Sequence, residues 1–149
     1  MRRAIALSRE SIEQGGGPFG AVIVRDGLIL AEGRNGVARA ADPTAHAEIV
    51  AIRAACRALG RFDLGGCDIY TSCEPCPMCL GAIYWARLAR VFFANDRFDA
   101  ARIGFDDALF YGELALPPER RRLPTIRLLE GEAQHAFDAW RRKPDRVLY

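Results

Sequence analysis

The chain lacks most of the features that would direct it to a membrane or to a nucleic acid. It contains a single lysine, and its formal net charge of +2 is too small to indicate a nucleic-acid surface by itself. It has no apolar run long enough for a transmembrane helix, and its amphipathic first residues lack the apolar core of a signal peptide. We therefore expect a cytoplasmic protein with no membrane partner, and a nucleic-acid partner is not favoured.

Repeats, low-complexity tracts and linkers are also absent from the sequence. Its 149 residues, half of them hydrophobic, are enough for one core, so we expect a single domain over residues 1–149. Cysteine is scarce, with an odd total of five, and three of these lie between positions 73 and 79. This pattern favours metal binding in a reducing compartment over disulfides. Cys56 and Cys67 lie in apolar stretches and are interpreted as core thiols.

Helical and strand patterns alternate along the chain. Apolar spacing predicts helices at 2–14, 43–59, 77–87 and 133–142, and strands at 19–25, 28–33, 67–72, 89–94 and 125–129. Asp26-Gly27 is a typical two-residue hairpin turn between the first two strands. The helices between the later strands imply parallel crossovers. The sequence therefore predicts an α/β fold, a three-layer α/β/α domain with a mixed five-stranded sheet.

The stretch 71–79 carries most of the chemistry, because it combines a strand end, a turn and the start of a helix. Cys76 and Cys79 are three residues apart, so on a helix they share one face and can bind one metal ion. His46 offers a third ligand in the opening turn of the helix that Asp42 would cap. Three protein ligands leave the fourth position of a catalytic zinc for water, which the ion helps to ionise. We expect one Zn²⁺ per chain.

Glu48 is the candidate for proton transfer. It stands two residues after His46, which ideal helical geometry places about 200° around the helix. It can still serve, as a general base and then a general acid, if the metal lies beyond the helix end. Two alternatives remain: a solvated helix carboxylate at this position, and a structural zinc site closed by Cys73. His135, the other histidine, has no ligand spacing and is interpreted as a surface residue.

Two motifs resemble those of a known family. The tripeptide His46-Ala47-Glu48, together with Pro-Cys-Pro-Met-Cys at 75–79, matches the H-x-E…P-C-x-x-C signature of zinc nucleobase deaminases. The longer blocks at 43–48, 71–87 and 104–107 resemble those of bacterial guanine deaminases in the cytidine/deoxycytidylate deaminase superfamily. The resemblance implies a cytidine-deaminase-like fold in which these motifs hold zinc and transfer protons.

The resemblance also implies a role for individual residues. Zinc would be bound by His46, Cys76 and Cys79, and Glu48 would transfer protons. Six further positions would contact the substrate: Phe19, Asn35, Ala47, Trp85, Asp107 and Tyr149. The asparagine and the aspartate would hydrogen-bond the base, while the phenylalanine and the tryptophan would flank its ring. From the residues alone, a turn asparagine and core aromatics remain alternatives.

The C-terminal segment is part of the same resemblance. In proteins of this type residues 131–149 would be exchanged between the subunits of a homodimer with shared active sites. The final tyrosine, Tyr149, would then reach the pocket of the neighbouring subunit. An apolar Val-Leu-Tyr ending after a helix is consistent with docking onto another surface.

Three functions are compatible with the sequence. The resemblance favours a zinc-dependent aminohydrolase that converts guanine to xanthine and ammonia. A related deaminase of guanosine, cytosine or amino-triazines is a variant of this function. The second function is a tRNA adenosine deaminase. The basic clusters at 120–122 and 141–143 are suited to RNA phosphates, although acidic residues surround them. The third function is a zinc-stabilised module without catalysis, which the position of Glu48 disfavours.

Overall fold

The computed structural model describes residues 1–148, which fall into two compact units divided between Tyr111 and Gly112. Tyr149 lies outside the described residues, so its contact with a substrate stays a prediction. The single domain with an exchanged C-terminal segment and the cytoplasmic location also stay predictions. In the described part of the chain, every helix is too short or too polar to cross a bilayer.

A four-stranded mixed sheet forms the centre of the first unit, in the order β2-β1-β3-β4. Its strands are β1 (Gly20–Arg25), β2 (Leu28–Arg34), β3 (Asp68–Cys73) and β4 (Arg90–Asn95). The first strand is antiparallel to both of its neighbours, and β4 is parallel to β3. The hairpin turn forms as predicted: Asp26 and Gly27 both have positive φ, 52° and 78°, as a type I′ turn requires.

The predicted fifth strand is wrong. Within residues 1–148 the segment 125–129 pairs with no strand, and β4 is an edge of the sheet. The segment has the apolar composition of a buried strand, but the side chains of Ile126 and Leu128 are each 76% exposed. Composition can predict that a segment will be buried, but a strand also needs a partner, which is a non-local property.

Helices cover both faces of the sheet. The helices of the chain are α1 (Arg2–Glu13), α2 (Val37–Ala40), α3 (Ala47–Leu59), α4 (Pro77–Trp85), α5 (Arg97–Arg102) and α6 (Asp107–Ala115), with α7 (Glu130–Arg142) in the second unit. Leu7 of α1 packs against Val22, whereas Ala51 of α3 packs with Ala21 and Ile23. Because successive strand residues face opposite sides, α1 and α3 lie on opposite faces of the sheet. The first unit therefore has the predicted α/β/α layers.

Helix α3 lies directly on strand β2 at a glycine. A Cβ atom on Gly33 would lie 2.0 Å from the carbonyl oxygen of Ala47 and 2.7 Å from the backbone nitrogen of Ala51. No side chain fits between the strand and the helix at this point. The close approach fixes the start of α3, which is where the candidate site begins.

The second unit contains α7 and a 3₁₀ turn at Pro118–Arg120. Helix α7 is amphipathic, with one polar and one apolar side, yet none of its described residues is buried. Phe137 is 72% exposed, and Leu148 after the helix is 77% exposed. The apolar side chains of this unit therefore lie open to solvent in the single chain.

Candidate active site

The site forms where the N-termini of α3 and α4 converge. His46 is the N-cap residue of α3 and Cys76 the N-cap residue of α4, both with extended backbone. Cys79 lies in the first turn of α4, and it packs with Cys76 against Ile49 of α3. Pro77 begins α4, since a helix start needs no hydrogen bond from that N–H group. Two helix starts thus bring an imidazole and two thiols together.

The structure corrects the predicted start of α3. This helix begins at Ala47 rather than at residue 43. The Asp42 carboxylate, predicted as the helix cap, accepts hydrogen bonds from the backbone N–H and the hydroxyl of Thr44, at 2.8 and 2.7 Å. These bonds close a local turn, and the chain reaches His46 still extended. The angle of 200° expected for a continuous helix therefore does not apply, and His46 and Glu48 both line one cavity.

The three candidate ligands fit a tetrahedral zinc ion. Nδ1 of His46 lies 3.6 Å from Sγ of Cys76 and 3.5 Å from Sγ of Cys79, and all three atoms lie within 4.8 Å of one another. Zinc bonds of about 2.3 Å to sulfur and about 2.0–2.1 Å to nitrogen, at tetrahedral angles, would separate the ligand atoms by about 3.6 Å. The donor set and its spacing therefore suit zinc.

A hydrogen bond between the two thiols shifts their pKa values in opposite directions. The hydrogen bond from Cys79 and a weaker one from His46 lower the pKa of Cys76 to about 4. The same bond with Cys76, together with burial, raises the pKa of Cys79. One thiolate thus forms readily, and the second requires the positive charge of a cation.

Cys73 stands apart from the cluster. It is the last residue of β3, and its Sγ lies 3.5 Å from the carbonyl oxygen of Asp96. Burial raises the pKa of its thiol to about 12, so it stays protonated. Among the described residues the potential metal-binding cluster consists of His46, Cys76 and Cys79. This arrangement favours a catalytic site with an open fourth position over a site closed by Cys73.

Glu48 is buried beside the cluster. Its side chain is 7% exposed, and burial raises the pKa of its carboxyl to about 7. Both protonation states are therefore populated near neutral pH, which suits a group that takes up a proton and then returns it. The alternative of a solvated helix carboxylate does not fit this burial.

A cavity of about 400 Å³ opens next to these groups. Its walls are formed by Gly17, Phe19, Asn35, Val37, Ala38, Pro43, His46, Glu48, Glu74, Cys76, Phe105 and Asp107. The rings of Phe19 and Phe105 meet edge to face, with centroids 4.7 Å apart. Burial is also the main cause that raises the pKa of Asp107. The cavity is large enough for a single nucleobase and has both apolar and acidic walls.

Asn35 turns one end of its amide away from the cavity. Its Oδ1 accepts hydrogen bonds from the backbone N–H groups of Gly17 (3.4 Å) and Val37 (3.3 Å). The opposite orientation would place the amide NH₂ against two N–H donors, so the pairing fixes which end is oxygen. The NH₂ group is left for the cavity, and Asn35 therefore acts there as a donor.

Three predicted substrate contacts are not among the described cavity walls. Ala47 is fully buried in the core, and Trp85 ends α4 with a side chain that is 62% exposed. Tyr149 lies outside the described residues. The roles of these three residues stay predictions. Sequence reasoning missed Glu74 and Phe105 as cavity residues, although each lies within a block that carries the family resemblance.

Comparison with known proteins identifies the family. The cytidine and deoxycytidylate deaminase zinc-binding region matches residues 1–95. Guanine deaminase of Bacillus subtilis is 52% identical over 150 residues, covering 100% of this chain and 96% of that protein. The X-ray structure of guanine deaminase from Bacillus subtilis matches with a TM-score of 0.95, over 99% of this chain and 95% of the other. This chain belongs to the cytidine and deoxycytidylate deaminase family, as the sequence motifs predicted.

Other relatives match a smaller part of the chain. The tRNA-specific adenosine deaminase of Aquifex aeolicus is 40% identical over 94 residues, which are 63% of this chain and 62% of that protein. A structure of guanine deaminase from Nitrosomonas europaea is 36% identical, with a TM-score of 0.68 over 70% of this chain and 62% of the other. The similarity to the Bacillus subtilis protein thus covers the whole chain, whereas these two matches cover 63% and 70% of it.

Proposed function

We propose that this protein is a zinc-dependent aminohydrolase that converts guanine and water to xanthine and ammonia. The observation that carries the proposal is that one cavity combines four groups. It is lined by His46 and Cys76 of the cluster that fits zinc, by the buried Glu48, and by a donor and an acceptor for a base. The full-length similarity to a guanine deaminase supports guanine as the base.

His46, Cys76 and Cys79 would hold the zinc ion. When bound, zinc lowers the pKa of water and so supplies a nucleophile at neutral pH. The carboxylate of Glu48 takes the proton from the attacking water. It then delivers this proton to the ring nitrogen next to C2 of guanine, while the water oxygen bonds to C2. Glu48 next takes the remaining proton of that oxygen and passes it to the amino group, so the C2–N bond breaks, ammonia leaves and the C2 carbonyl of xanthine forms. Burial raises the pKa of this carboxyl above its usual range, which suits a group that acts as a base and then as an acid.

Asn35 and Asp107 would select the base. The NH₂ group of Asn35 donates, so it suits the carbonyl oxygen O6 of guanine. The carboxylate of Asp107 accepts, so it suits a ring N–H group. A base with an amino group at position 6 would present a donor to the donor of Asn35, so we expect lower kcat/KM for it than for guanine. Phe19 would cover one face of the ring, and its contact with Phe105 holds it in place.

The cavity does not favour a tRNA substrate. Its acidic walls include Glu48, Glu74 and Asp107, and none of the described wall residues is an arginine or a lysine. Phosphate groups bind where basic side chains neutralise them. A free base, which carries no phosphate, suits this cavity better than a nucleic acid.

A panel of substrates tests the proposal. Ammonia release would be measured with guanine, adenine, cytosine, guanosine, an amino-triazine and tRNA, each with the zinc-loaded protein. We expect guanine to have the highest kcat/KM in the panel. Faster turnover of any other member would reassign the substrate, and no turnover of any member would favour the zinc-stabilised module.

We also propose that the second unit docks onto a second copy of this chain. Its large apolar side chains are exposed in the single chain, and an amphipathic helix normally buries its apolar side. The edge strand β4 also carries an exposed aromatic residue, Phe93, at 48% exposure. In the homodimer, residues 131–149 of one subunit would complete the cavity of the other and bring Tyr149 to the base.

A further inference from the structure

A short turn holds Cys76, and its contacts come from the segment 95–111. Glu74 and Pro75 form the turn between β3 and α4. The N–H group of Glu74 donates to the carbonyl of Asn95 at 2.8 Å. Pro75 has no N–H group, and its carbonyl accepts a hydrogen bond from the hydroxyl of Tyr111 at 2.8 Å. The residue before the metal ligand is thus held by a tyrosine from another helix.

Arg97 joins these contacts. Its Nε lies 3.0 Å from Oε2 of Glu74 and its Nη2 lies 2.5 Å from Oε1, so the guanidinium binds the carboxylate with two parallel bonds. The backbone N–H of Arg97 donates to the same carboxylate at 3.0 Å. The guanidinium also lies over the ring of Tyr111, 3.7 Å from its centroid. One planar cation therefore contacts both residues that position the turn.

The same contacts reach a second residue of the cavity wall, Asp107. Tyr111 lies four residues after Asp107 in α6, so the two side chains stand on the same side of that helix. Glu74 and Asp107 both line the cavity, whereas Arg97 does not. Arg97 is thus not itself a wall residue. It links the turn before Cys76 to α6, the helix that carries Asp107.

We propose that Arg97 is a positioning residue, which sets the placement of Cys76 and Asp107 without touching metal or substrate. A lysine cannot replace it, because a single ammonium cannot make two parallel bonds and stack on the ring at the same time. The part of the proposal that concerns Asp107 rests on the proposed function. The part that concerns Cys76 rests only on the metal cluster.

The other end of β4 provides a matched control. Arg90 binds Asp68 with two bonds, of 2.9 and 2.6 Å, and lies 5.4 Å from the ring centroid of Phe92. Phe92 in turn stacks on Tyr70, at 4.6 Å between centroids. None of these four residues lines the cavity. Arg90→Lys therefore removes the same kind of contacts at the start of β4, without reaching the site, whereas Arg97 follows the end of that strand.

The experiment compares Arg97→Lys, Arg90→Lys and wild type, each loaded with zinc or with cobalt. The measurements are the rate of zinc transfer to a chromogenic chelator, the visible absorption spectrum of the cobalt form, and kcat/KM for guanine. We expect Arg97→Lys to release zinc about tenfold faster, to shift the cobalt bands, and to lower kcat/KM by about 10–100-fold, the usual effect of losing a group that orients a ligand. Arg90→Lys should stay within about twofold of wild type.

Equal zinc release and equal cobalt spectra in Arg97→Lys and Arg90→Lys would overturn the proposal, whatever the turnover. If Arg97→Lys does not fold, Tyr111→Phe carries the test, because it removes only the hydrogen bond to Pro75. Tyr111→Phe should then release zinc faster than Tyr70→Phe, and equal rates would overturn the proposal. A wild-type protein that releases no ammonia from guanine would refute the proposed function and leave the metal measurements valid.

Discussion

If Asn35 donates a hydrogen bond to the base, the substitution Asn35→Asp should shift substrate preference from guanine towards 2,6-diaminopurine. Aspartate keeps an oxygen for the two backbone N–H groups of Gly17 and Val37, so the loop retains its bonds. Its second oxygen replaces the NH₂ group that faces the cavity. In the proposed complex a carboxylate would then meet O6 of guanine, acceptor against acceptor.

The expected loss follows from the charges. A full charge about 3 Å from an oxygen carrying about half a charge, at an effective dielectric constant of about 20, costs about 3 kcal/mol. The lost hydrogen bond adds about 1 kcal/mol. Together these values predict that kcat/KM for guanine falls by about 10²–10³-fold. 2,6-Diaminopurine carries a donor at position 6, so its kcat/KM should rise relative to wild type.

The assay is ammonia release from guanine and from 2,6-diaminopurine, with chromatography to identify the product. Gln14→Glu is the control, because it adds the same charge at an exposed position at the end of α1 that is not among the cavity walls. Lowering the pH should partly restore guanine turnover in Asn35→Asp relative to wild type, since a protonated carboxyl can donate. An unchanged ratio between the two substrates would refute the donor assignment.

Three further predictions concern the catalytic group, the metal and the tail. Glu48→Gln should keep its zinc, by elemental analysis, and lose about 10²–10⁴-fold in turnover, while near-normal turnover would remove Glu48 from the mechanism. Cys76→Ala should lose both metal and thermal stability, whereas Cys73→Ala should keep metal and activity; loss of zinc from Cys73→Ala would instead indicate a closed site. Deleting 147–149 should leave a folded, zinc-loaded protein with weakened turnover, and mixing it with an intact Glu48→Ala chain should restore part of the activity. Full activity of the truncated protein, or a monomer in sedimentation, would contradict the shared site.

Local signals predicted most of the fold. The Asp26-Gly27 turn depends on two adjacent residues with positive φ, and it formed where the sequence predicted it. The start of α3 was predicted wrongly, because Asp42 before a proline is a strong cap signal but its carboxylate is already bound by Thr44. The fifth strand failed for another reason. The segment 125–129 does contain apolar residues, but strand pairing depends on a neighbouring strand that the local sequence does not specify.

In the candidate site, too, local motifs predicted one part and non-local contacts determine the rest. The metal cluster follows from two short motifs, because each motif begins a helix and the helix starts converge. The motifs do not predict the walls of the cavity, because wall residues such as Glu74 and Phe105 lie in segments that are far apart in sequence. The donor role of Asn35 depends on two backbone N–H groups, one of which comes from a residue 18 positions earlier. Such contacts require the folded chain.

The close approach of Gly33 to α3 has a consequence for how freely this sequence can vary. The carbonyl that lies 2.0 Å from a Cβ at position 33 belongs to Ala47, the residue between His46 and Glu48. Even alanine at position 33 would push the helix back by about 1 Å, a displacement that can cost an enzyme about 10²-fold in rate. A single methyl group on the hairpin would thus alter catalysis without touching the substrate. Natural drift and directed evolution will therefore find that this position, although it is not among the cavity walls, tolerates little substitution.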